Sequence, residues 1–255
     1  MNVRWAKRLR DIVDVRQENL EGFECIQLPV DAVMKQEESV FRREKEILLA
    51  QGVSFEVFES PLPRGVQVTE RGFNMYSWTE YLQTAVRRIA ALGCKVLVWG
   101  DGRARILPIE GEVSTLKEQF YQLVFLLCKI SERYNITICL EPLSDRRTNF
   151  LNSLQETVAC FSLIGSPNLS LAIGLRSLVE LSVNFTDLLI YKDSIAHIHV
   201  ENPTQAHEMT SPHSTDEYDY APFFNAVQGI QYSGVLSLPS DADKTALLYC
   251  KKLWE

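Results

Sequence analysis

The chain has 255 residues, and its 33 Asp and Glu outnumber its 26 Lys and Arg, which gives a formal net charge of −7. This charge argues against a nucleic-acid partner, since phosphate neutralisation needs a basic face. The 46% hydrophobic content excludes a disordered chain, and no apolar run approaches the roughly 18 residues that a membrane span needs.

Short apolar runs alternate with longer amphipathic segments along the chain. The runs are rich in Val, Ile, Phe and Leu, which is typical of strands buried on both faces of a parallel sheet. A first strand is expected at Asn2–Trp5, followed by a helix over Ala6–Leu20. Seven further strands are predicted: Phe23–Leu28, Val53–Phe58, Lys95–Trp99, Ile136–Glu141, Leu169–Ile173, Ile195–Val200 and Val235–Leu238.

Four segments between these runs carry apolar residues at helical spacing. They are Tyr76–Leu92, Ser114–Tyr134, Asn152–Ile164 and Tyr218–Ile230. The first ends at Gly93, a common helix stop, and the third opens at an Asn or Ser cap. The stretch Pro61–Gly72 is predicted to be a long loop.

The strand spacing predicts the fold. From the run at residue 23 onwards, strands begin about every 35 residues, the size of a repeated βα unit. The alternative, a doubly wound open sheet, lacks a Gly-x-Gly-x-x-Gly after an early strand. We therefore predict one (β/α)8 TIM barrel over residues 1–255, with a short or atypical first strand.

The N-terminus and the cysteines indicate a compartment. The first eight residues are basic but no apolar stretch follows them, so they do not resemble a signal peptide. Six cysteines are widely spread, with no Cys-x-x-Cys pair: Cys25, Cys94, Cys128, Cys139, Cys160 and Cys250. A cytoplasmic protein is expected.

In such a barrel the functional groups lie at the carboxyl ends of the strands. Glu141 ends the fifth strand, where it could ligate a divalent cation or accept hydrogen bonds from an arginine. His197 and His199 point to the same side of the seventh strand, with His199 expected at the mouth. His207 and His213 are expected on a solvated loop.

Arginines cluster in the loops at this end: Arg103, Arg105, Arg147 and Arg176. Their planar donor forks suit phosphate or carboxylate ligands. Alternatively, one or two of them pair with Asp101 or Glu141 to seal the barrel top, which we favour for Arg105. Trp99 and Glu201, at the ends of the fourth and seventh strands, are further candidates for substrate contact, and Asp101 and Glu201 are candidates for a second acid.

Several motifs occur together in a characteristic order: Gly100-x-Gly102-x-Ala104-Arg105-x-x-Pro108, Leu140-Glu141-Pro142-Leu143, His197-Ile-His199 and Tyr232-x-Gly234-x-Leu236-Ser237. Over about residues 20 to 240, the chain resembles the sugar phosphate isomerase/epimerase superfamily. These are xylose-isomerase-like barrels that include ketose 3-epimerases. The resemblance implies a small sugar or sugar phosphate as substrate and a homodimer.

The resemblance also implies a divalent metal (Mn, Mg or Zn) held by Glu, Asp, His and a second Glu, with carboxylates moving a proton beside a carbonyl. Glu141 matches the first Glu and is the candidate catalytic residue. His199 matches the metal-binding His. The Asp and the second Glu fall on Gly174 and Pro239, so the implied metal site is incomplete.

Three other family positions differ as well. A His falls on Ser177, a Glu falls on Arg147, and ungapped counting places Gln205 where a substrate-binding Arg is expected. Two hypotheses follow. The chain is either an isomerase or epimerase with an impaired metal mechanism, or a non-catalytic barrel that binds an anionic sugar derivative through Arg105, Arg147 and Arg176. A third class, a metal-dependent abasic-site endonuclease, is disfavoured by the net charge and the few candidate metal ligands.

Overall fold

The computed structural model describes residues 2–109, 112–204 and 209–255. Eight parallel strands close into a barrel in sequence order, because the first strand pairs with both the second and the eighth. The strands are β1 (Arg4–Arg8), β2 (Cys25–Pro29), β3 (Ser54–Glu59), β4 (Val96–Trp99), β5 (Thr137–Leu140), β6 (Leu169–Gly174), β7 (Ile195–His199) and β8 (Val235–Leu238). The predicted (β/α)8 barrel is confirmed.

Helices surround the barrel between the strands. The α-helices are α1 (Ile12–Gln17), α2 (Val30–Met34), α3 (Glu38–Leu49), α4 (Thr79–Ala91), α5 (Val113–Glu132), α6 (Leu154–Ile164), α7 (Leu175–Glu180), α8 (Ala221–Gly229) and α9 (Lys244–Trp254). More tightly wound 3₁₀ segments are Met75–Trp78, Arg103–Arg105 and Phe185–Ser194. Within the described ranges, no helix has both the length and the apolar character needed to cross a membrane.

The beginning of the chain differs from the sequence prediction. The first strand extends to Arg8, so the helix predicted over Ala6–Leu20 is wrong in its first part, and α1 covers only Ile12–Gln17. Ala6 is fully buried and pairs with Cys25 of β2. The helix starts where it does because Asp11 caps it and Asp14 bonds back to the cap.

Other boundaries follow local chemistry. Ser153 caps α6 by accepting a hydrogen bond from the backbone N–H of Glu156, and Gly165 ends that helix with φ of 67°. The helix predicted from Tyr76 begins as a 3₁₀ turn and becomes α-helical at Thr79. The stretch Pro61–Gly72 contains neither helix nor strand, as predicted.

The inside of the barrel changes character along its axis. Small and medium apolar residues from seven strands pack together in its interior: Ala6, Cys25, Val57, Val98, Cys139, Ala172 and Val235. Nearer the carboxyl ends of the strands, the inward residues are polar or charged, among them Gln27, Glu141 and His199, all buried. The fold thus places a polar layer on an apolar base.

Candidate functional site

A cavity of about 370 Å³ opens at the carboxyl ends of the strands. Charged side chains of both signs line it: Arg8, Arg64, Arg103, Arg147, Glu59, Asp101, Glu141 and Glu201. β1, β3 and the segments after β3, β4, β5 and β7 supply these residues, so five of the eight strands contribute to this lining. Such a lining suits a small polar ligand better than an apolar one.

Arg8, the last residue of β1, bridges two carboxylates across the mouth. Its Nη1 lies 2.6 Å from Glu201 Oε1, and its Nη2 lies 2.8 Å from Glu59 Oε2. Burial by itself lowers the pKa of Arg8, but the negative charges of Glu59, Glu201 and Glu141 outweigh burial and raise it. The guanidinium is therefore a permanent positive charge in this site.

Gln27 of β2 connects Glu59 to the two histidines of β7. Its Nε2 lies 2.6 Å from Glu59 Oε2 and 3.0 Å from His199 Nε2, and its Oε1 lies 3.2 Å from His197 Nε2. An amide nitrogen only donates, so His199 accepts at Nε2 and carries its proton on Nδ1. An amide oxygen only accepts, so His197 carries its proton on Nε2.

His197 lies deeper than His199, as expected. It is fully buried, and burial, followed by the nearby His199 and Arg8, lowers its pKa well below the ordinary value. A neutral imidazole agrees with its single bond to Gln27. Its Nδ1 has no hydrogen-bond partner within the described part of the chain.

Glu141 lies directly after β5, and its carboxylate faces His199, with 3.5 Å between Oε1 and Nδ1. Two glycines make room for it. A Cβ on Gly174 would lie 2.8 Å from Oε1, and a Cβ on Gly100 would collide with Oε2. Burial raises the pKa of Glu141, but His199, Arg147 and Arg8 together lower it to about 2. Glu141 is thus ionised at neutral pH.

The structure brings two of the candidate arginines, Arg103 and Arg147, to the cavity and pairs a third, Arg176, on its own helix. Arg147 lines the cavity, and its Nη1 lies 3.4 Å from Ser177 Oγ. Arg176 pairs with Glu180 on the same helix, α7, at 3.0 Å. Glu180 also accepts a hydrogen bond from Ser144 Oγ at 2.7 Å, so this pair joins α7 to the loop after β5.

Arg105 and Trp99 lie away from the cavity surface. Arg105 is fully buried and donates to the backbone oxygens of Glu141, at 2.6 Å, and of Phe150, at 3.2 Å. Burial lowers its pKa to about 10, so it stays charged at neutral pH. Trp99 packs outside the barrel against Phe120 of α5, with 5.1 Å between ring centroids. In both cases the contacts shown are structural.

The other candidates from the sequence that the structure describes lie in the segments after β4 and β7. The Asp101 carboxylate accepts a bond from the backbone N–H of Arg103 at the rim. Glu201 faces Arg8 from the segment after β7. His213 lies on the expected loop, 3.3 Å from Ser211 Oγ. His207 and Gln205 lie outside the described residues.

The side chains at the mouth engage one another instead of leaving ligands for the divalent metal that the resemblance implies. Glu141 and His199 contact one another, but His199 has partners at both ring nitrogens, and Glu59 and Glu201 face Arg8. In residues 2–109, 112–204 and 209–255, no three His, Cys, Asp or Glu side chains are grouped to hold a metal ion. As arranged here, these residues do not fit a divalent metal.

Sequence reasoning missed Arg8, Gln27 and Glu59. Arg8 fell inside a segment expected to be helical, and Gln27 fell inside an apolar run. Glu59 follows the predicted end of the third strand by one residue. The usable signal was alternation: once Ala6 and Val57 are placed inside the barrel, the residues two further along must also point inward.

The family comparison covers most of the chain. Residues 18–248 match the model of a family described as "Xylose isomerase-like TIM barrel". No curated protein sequence matches the chain.

Solved structures share the fold at low sequence identity. A D-psicose 3-epimerase crystallised in the presence of D-fructose has a TM-score of 0.81 and 11% identity, with 99% of each chain covered. A D-allulose 3-epimerase from Methylomonas sp. has a TM-score of 0.79 and 17% identity, covering 99% of this chain and 98% of that one. A 3-keto-D-glucoside 4-epimerase from E. coli has a TM-score of 0.75 and 13% identity, with the same coverage. The family match and the closed barrel together show that the chain, whose structural neighbours include sugar epimerases, belongs to the xylose isomerase-like TIM barrel family.

Proposed function

We propose that the mouth of the barrel binds a small sugar or sugar phosphate. The observation that carries this proposal is the cavity lined by Arg8, Arg64, Arg103 and Arg147 together with carboxylates. Guanidinium groups suit a phosphate or carboxylate, and carboxylates accept hydrogen bonds from hydroxyl groups. A volume of about 370 Å³ falls within the usual range for small-molecule pockets, and the neighbours named above act on sugars.

As an isomerase or epimerase, the protein would use Glu141 to remove a proton from the carbon beside a carbonyl. Glu141 is ionised and within the cavity lining, so it can accept a proton. However, a base is most effective when its pKa is near the working pH, and the pKa of Glu141 is about 2. Glu59 and Glu201, which flank Arg8, are the candidates for a second proton carrier.

The second candidate function is a non-catalytic barrel that binds an anionic sugar derivative. The low pKa of Glu141 favours it, because this carboxylate holds its proton too weakly to be a good base. The arrangement of donors also favours it, since the implied metal ligands are incomplete and the residues present engage one another. Of the four arginines predicted at this end of the barrel, Arg103 and Arg147 line the cavity, and Arg64 adds a further guanidinium.

Ligand binding is tested by thermal shift and calorimetry with D-fructose, D-fructose 6-phosphate and D-gluconate. We expect an anionic ligand to bind more tightly than D-fructose, and Arg147→Met to weaken the anionic ligand by about tenfold, as expected for a lost charge-assisted bond. Arg42→Met, on the exposed face of α3, is the matched control and should bind as the original chain does. Equal binding by Arg147→Met, or no binding of any of the three ligands, would contradict the proposal.

Catalysis and plain binding are separated in D2O. With a bound ketose or its phosphate, an enolising enzyme exchanges the proton beside the carbonyl for deuterium, which NMR detects. Exchange that is lost in Glu141→Gln while binding persists would support the enzyme. Binding without exchange in the original chain would support the non-catalytic barrel.

The homodimer implied by the resemblance stays a proposal. Size-exclusion chromatography with light scattering checks it directly, because the chain would give a mass of 29.1 kDa as a monomer and twice that mass as a dimer. A monomer at working concentrations would contradict it.

A further inference from the structure

Three glutamates at the mouth of the barrel need positive partners. Glu59, Glu141 and Glu201 all line the same cavity. The Glu201 side chain is only 3% exposed and the Glu141 side chain 7%. Carboxylates this buried are costly unless a positive group is close to them.

Arg8 is that positive group for Glu201 and Glu59. Its two terminal nitrogens each bond a different carboxylate, at 2.6 and 2.8 Å, which are distances of charge-assisted hydrogen bonds. The Arg8 side chain is 14% exposed, so one face of the guanidinium network borders the cavity.

The influence of Arg8 extends to His199 through two further contacts. Glu59 Oε2, which accepts from Arg8, also accepts from Gln27 Nε2, and that same nitrogen bonds His199 Nε2. Arg8 therefore orders Glu59, and Glu59 orients the amide that engages the histidine. One guanidinium thus orders two carboxylates directly and, through Gln27, an imidazole.

We propose that Arg8 is the resident cation of this site, bridging Glu59 and Glu201 in the role of a divalent metal ion. This inference rests on the proposed function, because it says what supplies positive charge to a bound sugar oxygen. A guanidinium acts as a hydrogen-bond donor of fixed charge instead of a Lewis acid. It is covalently attached, so chelators cannot remove it.

The proposal predicts a gain of function. Arg8→Met removes the charge with an unbranched side chain and leaves the carboxylates of Glu59 and Glu201 without their cation, in the cavity that Glu141 also lines. Carboxylate oxygens are the ligands that hard divalent cations prefer. We expect Arg8→Met to bind Mn²⁺ at least about tenfold more tightly than the original chain. Calorimetry measures the affinity, and electron paramagnetic resonance counts the Mn²⁺ left free. Neither measurement uses a sugar, so its result is independent of sugar binding.

Two matched variants separate this proposal from a general charge effect. Arg8→Lys keeps one positive charge at the same place and should not gain Mn²⁺ affinity. Arg147→Met removes one positive charge from the same cavity but leaves the Arg8 bridges intact, and should gain little. Equal gains in Arg147→Met and Arg8→Met would overturn the proposal.

Two further results would also overturn it. One is an original chain that binds Mn²⁺ as tightly as Arg8→Met, and the other is a folded Arg8→Met with no gain. If Arg8→Met is unstable when purified without metal, the proposal expects millimolar Mn²⁺ to raise its melting temperature but not that of the original chain. An unstable variant that Mn²⁺ does not rescue would contradict it.

Discussion

At the scale of single residues, the glycines beside Glu141 matter because they have no side chain to occupy the space of its carboxylate. Gly100 has no Cβ to strike Oε2 of that carboxylate, and a methyl group there would force the side chain away from His199. We expect Gly100→Ala to lower stability by about 1–3 kcal/mol, the usual cost of overpacking. Gly229→Ala, where a Cβ meets nothing within 4 Å, is the control, and thermal unfolding measures both. A Gly100→Ala protein as stable as the control would contradict this prediction, because the Glu141 carboxylate would then have space elsewhere.

The Glu141 carboxylate also predicts a response to acid. Its pKa is about 2 in the folded protein, below the usual value of 4.5, so it stabilises the fold above pH 4.5. That contribution is lost as pH falls from 4.5 towards 2. We expect the stability difference between the original chain and Glu141→Gln to shrink over this interval, by about 3 kcal/mol at most. Urea unfolding at a series of pH values measures it, and a constant difference would contradict the assignment.

The sequence predicted some site residues better than others, for physical reasons. Glu141 and His199 stand at strand ends within recognisable motifs, so position and residue type pointed the same way. Arg8 and Gln27 acquire their roles only from partners more than thirty residues away, such as Glu59 and His199. Long-range pairing of this kind leaves no local pattern, and only barrel closure brings these side chains together.

At the scale of elements, Arg105 fastens the segment after β4 to the segment after β5. Its donors satisfy backbone oxygens of Glu141 and Phe150, and no solvent reaches it. We expect Arg105→Met to destabilise the protein by about 2–4 kcal/mol, since both oxygens lose a donor of a charge-assisted bond.

The control for this prediction is Arg103→Met in the same 3₁₀ segment, at an exposed position. Chemical denaturation compares the two variants. An Arg105→Met protein with the stability of Arg103→Met would show that water or a neighbour replaces the guanidinium. Because Arg105 also positions the backbone of Glu141, weaker ligand binding at the mouth should accompany the loss of stability.

The first strand shows what a local pattern cannot decide. Residues 4–8, Arg-Trp-Ala-Lys-Arg, do not alternate strictly between charged and apolar, so they fit a helix face as readily as a strand. What selects the strand is the gap between β2 and β8, which β1 fills by pairing with both. The seven other strands were found because their apolar runs are long and nearly continuous, as burial on both faces requires.

At the scale of the whole molecule, all six cysteines are buried and free. Burial raises the pKa of Cys25, Cys94, Cys128, Cys139, Cys160 and Cys250. Since a thiol reacts as its thiolate, we expect a colourimetric thiol reagent to label almost none of them in the native protein and all six after unfolding. Rapid labelling of one thiol under native conditions would show that the barrel opens locally.

The contacts of Gln27 fix which groups donate and which accept hydrogen bonds across the mouth. Its amide donates towards Glu59 at one end and, through His199, towards Glu141 at the other. Rotating that amide by half a turn would move the proton of each histidine to its other ring nitrogen. Glu59 prevents this rotation, because it accepts a hydrogen bond from the amide nitrogen. The place of a proton beside β5 is therefore decided on β3, which is separated from β5 by one strand. We therefore expect a substitution of Glu59 to change the hydrogen bonding of Glu141, and a substitution of Glu141 to change that of Glu59, without any movement of the backbone.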